Sequence, residues 1–267
     1  MAEPQITDPA AFAAGLTGDD MVTPFEVKPL DVRGKLVRLG PAVSDLLERH
    51  NYPDEVSAVL AEAVALTALL GSSLKFDGRF ILQTQTDGAI DMLVVDYVTP
   101  GSIRAYARFD EDKVRAIAAG SSLDASVYLG KGHLAMTVDQ GSDMDRYQGI
   151  VALDGESLSK CAKAYFEQSE QIPTTVRLAA GSVVTPGDRQ WRAGGIMVQH
   201  LPSDKPPSPM QFSSGDVPEG YEDHEIAEDD DWNRARILME STEDHELIDP
   251  QLTSDRLLYR LYHEDGA

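Results

Sequence analysis

The sequence contains a single cysteine, Cys161, among its 267 residues. One thiol cannot form an intrachain disulfide or supply the thiolates of a structural zinc site, so a disulfide-stabilised scaffold is excluded and a reducing compartment is expected. Cys161 shares an apolar stripe with Leu158 and Tyr165 on a helix predicted over residues 157–169. Because free cysteine is among the most frequently buried residue types, we expect a structural cysteine rather than a reactive thiolate.

Two further absences concern membranes and export. The longest apolar stretch, residues 56–71, is interrupted by Glu62 and is shorter than the roughly 20 residues that span a bilayer. The N-terminus is acidic and its first basic residue is Lys28, whereas a secretory signal begins with basic residues. We therefore expect a cytoplasmic protein that has no membrane partner.

Short catalytic motifs are absent as well. The sequence has no GxSxG, HExxH, EF-hand or dinucleotide-binding glycine pattern, and its histidines lack the helical spacing of a metal-binding pair. The acidic run over residues 222–231 lacks the glycine and the alternating ligands of a calcium loop, so a solvated charged surface is expected there. We predict neither catalysis nor a metal site. One alternative stays open, an enzyme that acts on a small molecule in a cleft of the core domain.

Basic residues are scarce, because 23 Lys and Arg stand against 45 Asp and Glu and the net charge is −22. Residues 204–267 hold 18 of the acids and 5 of the bases, a net charge of −13, while residues 1–203 carry −9. An acidic surface repels phosphate backbones, so we expect no nucleic-acid partner. Three uses of the charge stay open: general solubility, solubility of an exposed apolar segment, and recognition of one basic partner by an acidic adaptor.

What the sequence does contain is an α+β pattern. Apolar residues follow helical spacing over residues 56–70, and Asp87-Gly88 and residues 130–132 each predict a hairpin turn. We therefore predict an α+β fold, with a strand-rich N-terminal core domain and packed helices. The predicted strands are residues 25–30, 33–39, 80–85, 92–98, 103–109, 126–129, 134–139, 175–179 and 190–199.

The apolar pattern ends at Leu201. Residues 202–209 contain four prolines, and an acid-rich segment follows, a composition that does not hold regular structure. We predict a mobile linker over residues 202–226. The chain is thereby divided into an α+β core domain, residues 1–201, and an acidic linker and helical linker region, residues 202–267.

Six segments of the chain have distinctive sequences in a fixed order. The most specific is YFEQSEQIPT, residues 165–174, in which an amphipathic helix runs into an Ile-Pro stop. The others are RGKLVRLG (33–40), LKFDGRFILQTQTDGAIDMLVVDY (74–97), LGKGHLAMTVD (129–139), GGIMVQHLP (194–202) and LLYRLYHEDG (257–266). Together they resemble the heat shock protein 33 family. The resemblance implies an ATP-independent, redox-regulated holdase, a chaperone that binds unfolding client proteins and prevents their aggregation; a homodimer stays open.

The family's oxidation sensor is a C-terminal zinc module with four cysteines in CxC and CxxC pairs. The resemblance implies that zinc on reduced thiolates keeps this module folded, and that oxidation releases the metal and unfolds both module and linker. The chain stops at Ala267, about where that module should start. We expect a fragment of a longer product rather than a variant without the thiol switch. We assign no zinc ligand and no cofactor to these residues.

Two short helices are predicted in the linker region, one over residues 232–239 and one with Ser254 as its N-cap. Helices below roughly 12 residues are marginal in water without packing, so they must dock on the core domain or on another protein. A permanently docked subdomain and a conditional cover both stay open. The side chains that we predict to contact clients or the docking surface of the core are Trp232, Ile237, Leu238, Met239, Leu257, Leu258, Leu261 and Tyr262.

Overall fold

The computed structural model describes residues 19–74, 77–120, 125–140, 146–185, 188–201 and 230–265. Nine strands in these residues form two antiparallel sheets. They are β1 (Met21–Val27), β2 (Val32–Leu39), β3 (Arg79–Thr86), β4 (Ile90–Val98), β5 (Ser102–Phe109), β6 (Lys131–Asp139), β7 (Tyr147–Asp154), β8 (Thr174–Thr185) and β9 (Asp188–His200). The four-stranded sheet has the order β1-β2-β9-β8, and the five-stranded sheet has the order β5-β4-β3-β6-β7.

Eight α-helices accompany the sheets in the described residues. They are α1 (Pro41–Glu48), α2 (Asp54–Gly71), α3 (Glu111–Ala118), α4 (Ala125–Leu129), α5 (Leu158–Tyr165), α6 (Asp230–Glu240), α7 (Asp244–Ile248) and α8 (Ser254–Tyr262). Short 3-10 turns cover Lys28–Leu30 and His263–Asp265, and a π turn covers Phe166–Glu170. The predicted α+β class is confirmed.

Helix α2 is the centre of the fold. Its apolar residues surround the helix instead of forming one stripe, and 14 of its 18 residues are buried. A helix that is apolar on all sides needs neighbours on all sides, and α2 accordingly packs against strands of both sheets. Asp54 and Glu55 lie in its first turn, where carboxylates interact favourably with the helix dipole.

The four-stranded sheet is buried on both faces. In a strand, successive side chains point to opposite faces. Val37 and Met197 accordingly belong to the core around α2, whereas their neighbours Leu36 and Ile196 belong to a second apolar cluster on the other side. Both faces of this sheet therefore need a partner layer, and the second layer consists of the C-terminal helices.

The strand predicted over residues 126–129 and the hairpin predicted over residues 130–132 are wrong. Residues 125–129 form α4, and the N–H of Gly130, whose φ is +65°, closes the last turn on the carbonyl of Ser126. Strand β6 then begins directly at Lys131, whose N–H donates to Oδ1 of Asp87 over 2.7 Å. A run of five apolar and small residues fits a helix turn as well as a strand, and here the Asp87 contact decides where the strand begins.

Smaller differences concern other boundaries. Helices α1, α3 and α7 and strand β7 were not predicted, and residues 28–30, predicted as the end of a strand, form a 3-10 turn. The N-cap of α8 is Thr253, whose hydroxyl accepts from the N–H of Arg256, and Ser254 is the first helical residue. The predicted linker over residues 202–226 lies outside the described residues. Cys161 is buried, as predicted.

Candidate functional site

The face of the four-stranded sheet that points away from α2 is apolar and covered. Helices α6 and α7 pack on its strands, α8 packs against α6 and adds side chains to the same apolar cluster, and the 3-10 turn after α8 contacts Lys28–Leu30. We call residues 230–265 the cover and the sheet side chains beneath it the covered face. Side chains of both belong to one cluster of buried residues. The covered face consists of Val27, Leu30, Val32, Leu36, Ala179, Ile196 and Val198.

Seven of the eight side chains predicted as client-binding or docking residues lie in this cluster. Ile237 is the exception, because 58% of it is exposed and it lies on the outer side of α6. The fully buried members are Met239, Leu257, Leu258, Leu261 and Tyr262, and the partly buried ones are Trp232 and Leu238.

Tyr262 joins the two longer helices of the cover to the sheet. Its hydroxyl donates to the carbonyl of Ala235 on α6 over 3.2 Å, and its ring centroid lies 5.8 Å from that of Phe25 on β1. Burial, with a contribution from Asp265, raises the pKa of the Tyr262 hydroxyl above its ordinary value. The hydroxyl therefore stays protonated and can keep donating this bond.

Two buried arginines of the sheet hold α7 by the carbonyl groups at its C-terminal end. Arg38 on β2 donates through Nη1 to the carbonyl of Glu246 over 3.1 Å and through Nη2 to that of Asp249. Arg192 on β9 donates through Nε to the carbonyl of Ile248 over 2.6 Å. Carbonyls at a helix end lack partners within the helix and carry partial negative charge, so they suit a guanidinium.

Arg192 also forms a bidentate ion pair with Asp19. Its Nη1 lies 2.9 Å from Oδ2 of Asp19, and its Nη2 contacts Oδ1. Only 3% of the Arg192 side chain and 14% of the Asp19 side chain are exposed. For Arg38, burial and the proximity of Arg192 lower the pKa of the guanidinium, and Asp19 and Asp249 oppose this shift. The two adjacent guanidinium groups of Arg38 and Arg192 repel each other, and Asp19 and the helix carbonyls offset this repulsion.

A third arginine contacts the cover near the sheet edge. Arg177 on β8 donates through Nη1 to the carbonyl of Glu240, the last residue of α6, over 3.2 Å. Its Nη2 lies 2.8 Å from the carboxylate of Asp244 at the start of α7. We call Arg38, Arg177 and Arg192 the arginine latch, because all three bind backbone carbonyls of the cover.

Gly194 lets α7 approach the sheet closely. A Cβ at this position would collide with the backbone carbonyl oxygen of Leu247. The adjacent Gly195 faces the other side of the sheet, where a Cβ would lie 2.7 Å from a side-chain carbon of Leu178. The two glycines therefore serve different layers, the cover and the α2 core.

Several polar atoms at the junction of sheet and cover are buried without a hydrogen-bond partner among the described residues. They are Nε of Arg38, Nε of Arg177, Oγ1 of Thr242 and Oγ of Ser254. The junction therefore combines polar groups with the apolar cluster.

The family resemblance implies a zinc ion in a separate C-terminal module. The described residues provide no binding site for this ion. In this part of the chain, no three His, Cys, Asp or Glu side chains are grouped as metal ligands. Burial, with a contribution from Glu156, raises the pKa of the Cys161 thiol to about 11, and its Sγ lies 3.8 Å from the carbonyl oxygen of Ala152. Zinc binds thiolate, so this thiol is a poor ligand. The described helices include none that is long and apolar enough to cross a membrane.

The latch residues and Gly194 were not identified from the sequence. A signal was present, because β2 and β9 each place an arginine among consecutive apolar residues. Consecutive apolar residues indicate a strand with both faces buried, and a long cation inside such a strand needs a buried acceptor. The acceptor is the end of a helix that lies 208 residues from Arg38 and 56 residues from Arg192 in the sequence, so its identity depends on tertiary packing.

Comparison with known proteins identifies the relatives of this chain. Residues 20–267 match the family model described as Hsp33 protein. The chain is 46% identical over 250 residues to the 33 kDa chaperonin of Caulobacter vibrioides. The matched region covers 93% of this chain and 77% of that protein. It is 36% identical over 253 residues to the 33 kDa chaperonin of Pseudomonas putida. This matched region covers 94% of the chain and 73% of that protein.

A solved structure has the same fold. The crystal structure of the 33 kDa chaperonin from Thermotoga maritima, a heat shock protein 33 homolog, matches with a TM-score of 0.64 and 19% identity. The match covers 87% of this chain and 71% of that chain. At this identity the likeness concerns the fold, and the sequence relatives carry the family assignment.

Proposed function

This chain belongs to the Hsp33 family, and from that premise we propose that the covered face binds unfolding proteins when the cover leaves it. The family is one of redox-regulated holdases, and the chain is a chaperone. Seven aliphatic side chains form the covered face. An apolar surface of this kind, once exposed, fits the apolar segments that unfolding proteins expose.

The observation that carries the proposal is the mixed character of the junction. Beside seven aliphatic side chains, the junction contains the guanidinium groups of Arg38, Arg177 and Arg192, and two of these, Arg38 and Arg192, are buried. Its arginine latch binds backbone carbonyls, which water can replace when the helices move away. The cover is therefore built so that its release costs less than the loss of a fully apolar interface.

The cover itself consists of short helices. Helix α6 has 11 residues, α7 has 5 and α8 has 9. Helices of this length are marginal without packing, so release and unfolding of the cover are expected to occur together. The core domain keeps its own apolar interior around α2, so it stays folded when the cover opens.

Further properties belong to the same proposal. We expect unfolding proteins as the partners, a cytoplasmic location, and activity without nucleotide or catalysis. We expect no zinc on the described residues, and we expect Cys161 to be structural. A homodimer stays open, and the division into residues 1–201 and 202–267 stays a prediction because residues 202–229 are not described.

The proposal is tested by two substitutions that both weaken docking of the cover. Met239→Asp changes the cover and Val198→Asp changes the covered face, and both side chains are fully buried in the wild type. If the covered face binds clients, Met239→Asp increases suppression of light scattering by a heat-unfolding client, whereas Val198→Asp does not. Circular dichroism and amide exchange in α2 check that the core domain is folded in each of the two variants. Equal protection by both variants would contradict the proposal.

A further inference from the structure

Lys35 on β2 reaches the C-terminal end of the central helix α2. Its Nζ lies 3.0 Å from Oγ of Ser72 and 2.8 Å from Oγ of Ser73. The side chain is half-buried, and its bond to Ser73 lies at the surface. This amine is therefore fixed in place and still accessible to small reagents.

Lys35 combines a half-buried position with the absence of an ion-pair partner among the described residues. Lys131, Lys160 and Lys163 each form an ion pair with a carboxylate. Lys35 forms none among the described residues, and the charged side chain that acts on it is Arg33, a cation on the same strand. Burial, with this contribution from Arg33, lowers the pKa of Lys35 from 10.5 to about 8.

The two serines also determine how the amine is oriented. Their hydroxyls lie 3.0 Å and 3.4 Å from the carbonyl oxygen of Leu69, to which they donate. Each Oγ is thus left to accept a hydrogen bond from Nζ of Lys35. A neutral amine has two N–H groups and one lone pair. With both N–H groups bound to Ser72 and Ser73, the lone pair is free to attack an electrophile.

Two clefts lie next to Ser72, and Lys35 itself lines neither of them. Ser72 lines two clefts, one of about 780 Å³ between α1, α2 and β5 and one of about 450 Å³ near Pro100. Asp77 is the acidic residue that lines the second cleft beside Ser72, and it forms no ion pair with Lys35. Access of a small reagent to Nζ of Lys35 therefore depends on the surface position of its bond to Ser73.

From this cluster we propose that Lys35 is a preferred site of acylation by small acyl phosphates. The neutral amine attacks the carbonyl carbon of the acyl phosphate and forms the N–C bond. The C–O bond to phosphorus-bound oxygen breaks, inorganic phosphate leaves with the bonding electron pair, and the extra proton on nitrogen passes to water. The product is an uncharged amide that retains one N–H, so it can keep the bond to only one of the two serines.

The test treats the folded 267-residue chain with acetyl phosphate and measures acetylation of each of its eight lysines by peptide mass spectrometry. At pH 7.5 an amine of pKa 8 is about one-quarter neutral, against about one in a thousand for an ordinary lysine. Lower basicity offsets part of this gain, and we expect Lys35 to react about tenfold faster than Lys28 or Lys113. Its rate should level off above about pH 8, where that of Lys113 still rises.

Variants separate the contributions. In Lys35→Arg, acetylation of the corresponding peptide should disappear while the other lysines react as before. In the double variant Ser72→Ala with Ser73→Ala, the amine loses both acceptors, and its rate should fall several-fold in a chain whose circular dichroism is unchanged. A Lys35 rate within twofold of the Lys28 and Lys113 rates from pH 7 to 9 would overturn the proposal. So would an unchanged rate in the double serine variant.

Discussion

The Nε atom of Arg192 donates a 2.6 Å hydrogen bond to the carbonyl oxygen of Ile248, and this bond joins a strand of the core to the end of a cover helix. The same guanidinium holds Asp19, so residues near both ends of the described chain meet on one side chain. A guanidinium can serve two acceptors at once because its five N–H groups lie in one rigid plane. Attachment of the cover is therefore coupled to the ion pair beneath it.

The first prediction follows from this coupling. Arg192→Met removes the donor to Ile248 and leaves the buried carboxylate of Asp19 unpaired, which typically costs about 3–5 kcal/mol. We expect faster amide exchange across residues 230–265 and stronger protection of a heat-unfolding client. Arg189→Met is the matched control on the same strand, because Arg189 pairs with Asp54 at the surface. Exposed pairs contribute about 0–1 kcal/mol, so the control should behave like the wild type.

Equal exchange rates over residues 230–265 in Arg192→Met and Arg189→Met would contradict a role for the latch in holding the cover. Faster exchange in Arg192→Met without any gain in client protection would support the role of the latch in holding the cover. It would contradict the proposal that the covered face binds clients.

The second prediction uses the two adjacent glycines of β9. Gly194→Ala places a methyl group against the carbonyl oxygen of Leu247, so α7 must move away from the sheet. We expect looser docking of the cover and increased client protection, with the unfolding of the core little changed. Gly195→Ala points into the α2 core instead and meets Leu178, so it should lower the unfolding temperature of the core.

Gly101→Ala serves as the neutral control for this pair, because a Cβ at Gly101 would have no neighbour within 4 Å. Thermal unfolding and light scattering are measured on all three variants. If Gly194→Ala and Gly195→Ala lower the core unfolding temperature equally and neither changes client protection, the separation into two layers is wrong.

Much of the core could be predicted from the sequence because its signals are local. The spacing over residues 56–70 predicts α2, and Asp87-Gly88 predicts the turn between β3 and β4. The strand predicted over residues 126–129 is wrong because four residues are too few for helical and strand periodicities to differ. The latch could not be predicted, because its arginines and the carbonyls they bind are far apart in the sequence, by 56 residues for Arg192 and by 208 for Arg38 and Glu246. Sequence periodicity identified the apolar stripes of the cover, but not the sheet face beneath them.

The third prediction concerns metal. After dialysis, the 267-residue chain should hold no stoichiometric zinc, because Cys161 is buried and protonated and no other thiol is present. Elemental analysis of the protein measures this directly. One tightly bound zinc per chain that survives dialysis would show that the assignment of no metal ligand is wrong, and Cys161→Ser would then show whether this thiol is a ligand.

The fourth prediction concerns pH. Folding raises the pKa of the Cys161 thiol from an ordinary value of 9.0 to about 11. Between these values the folded chain keeps a proton that the unfolded chain has lost, so the contribution of this thiol is complete below about pH 9 and decreases as the pH rises towards 11. Urea unfolding at several pH values measures the effect. Cys161→Ser should lack this part of the decrease, and an identical pH dependence in both proteins would contradict it.

The last prediction is that client protection by this chain is insensitive to peroxide and to dithiothreitol. Oxidation requires thiolate, and at pH 7.5 a thiol of pKa about 11 is almost entirely protonated. Burial further limits access, since 2% of Cys161 is exposed. Client light scattering is compared for reduced and peroxide-treated samples of the same preparation, with Cys161→Ser treated in parallel. We expect all four samples to protect the client equally. Activation by peroxide that disappears in Cys161→Ser would show that this buried thiol is a sensor, and opening of the core around α5 would then have to precede its oxidation.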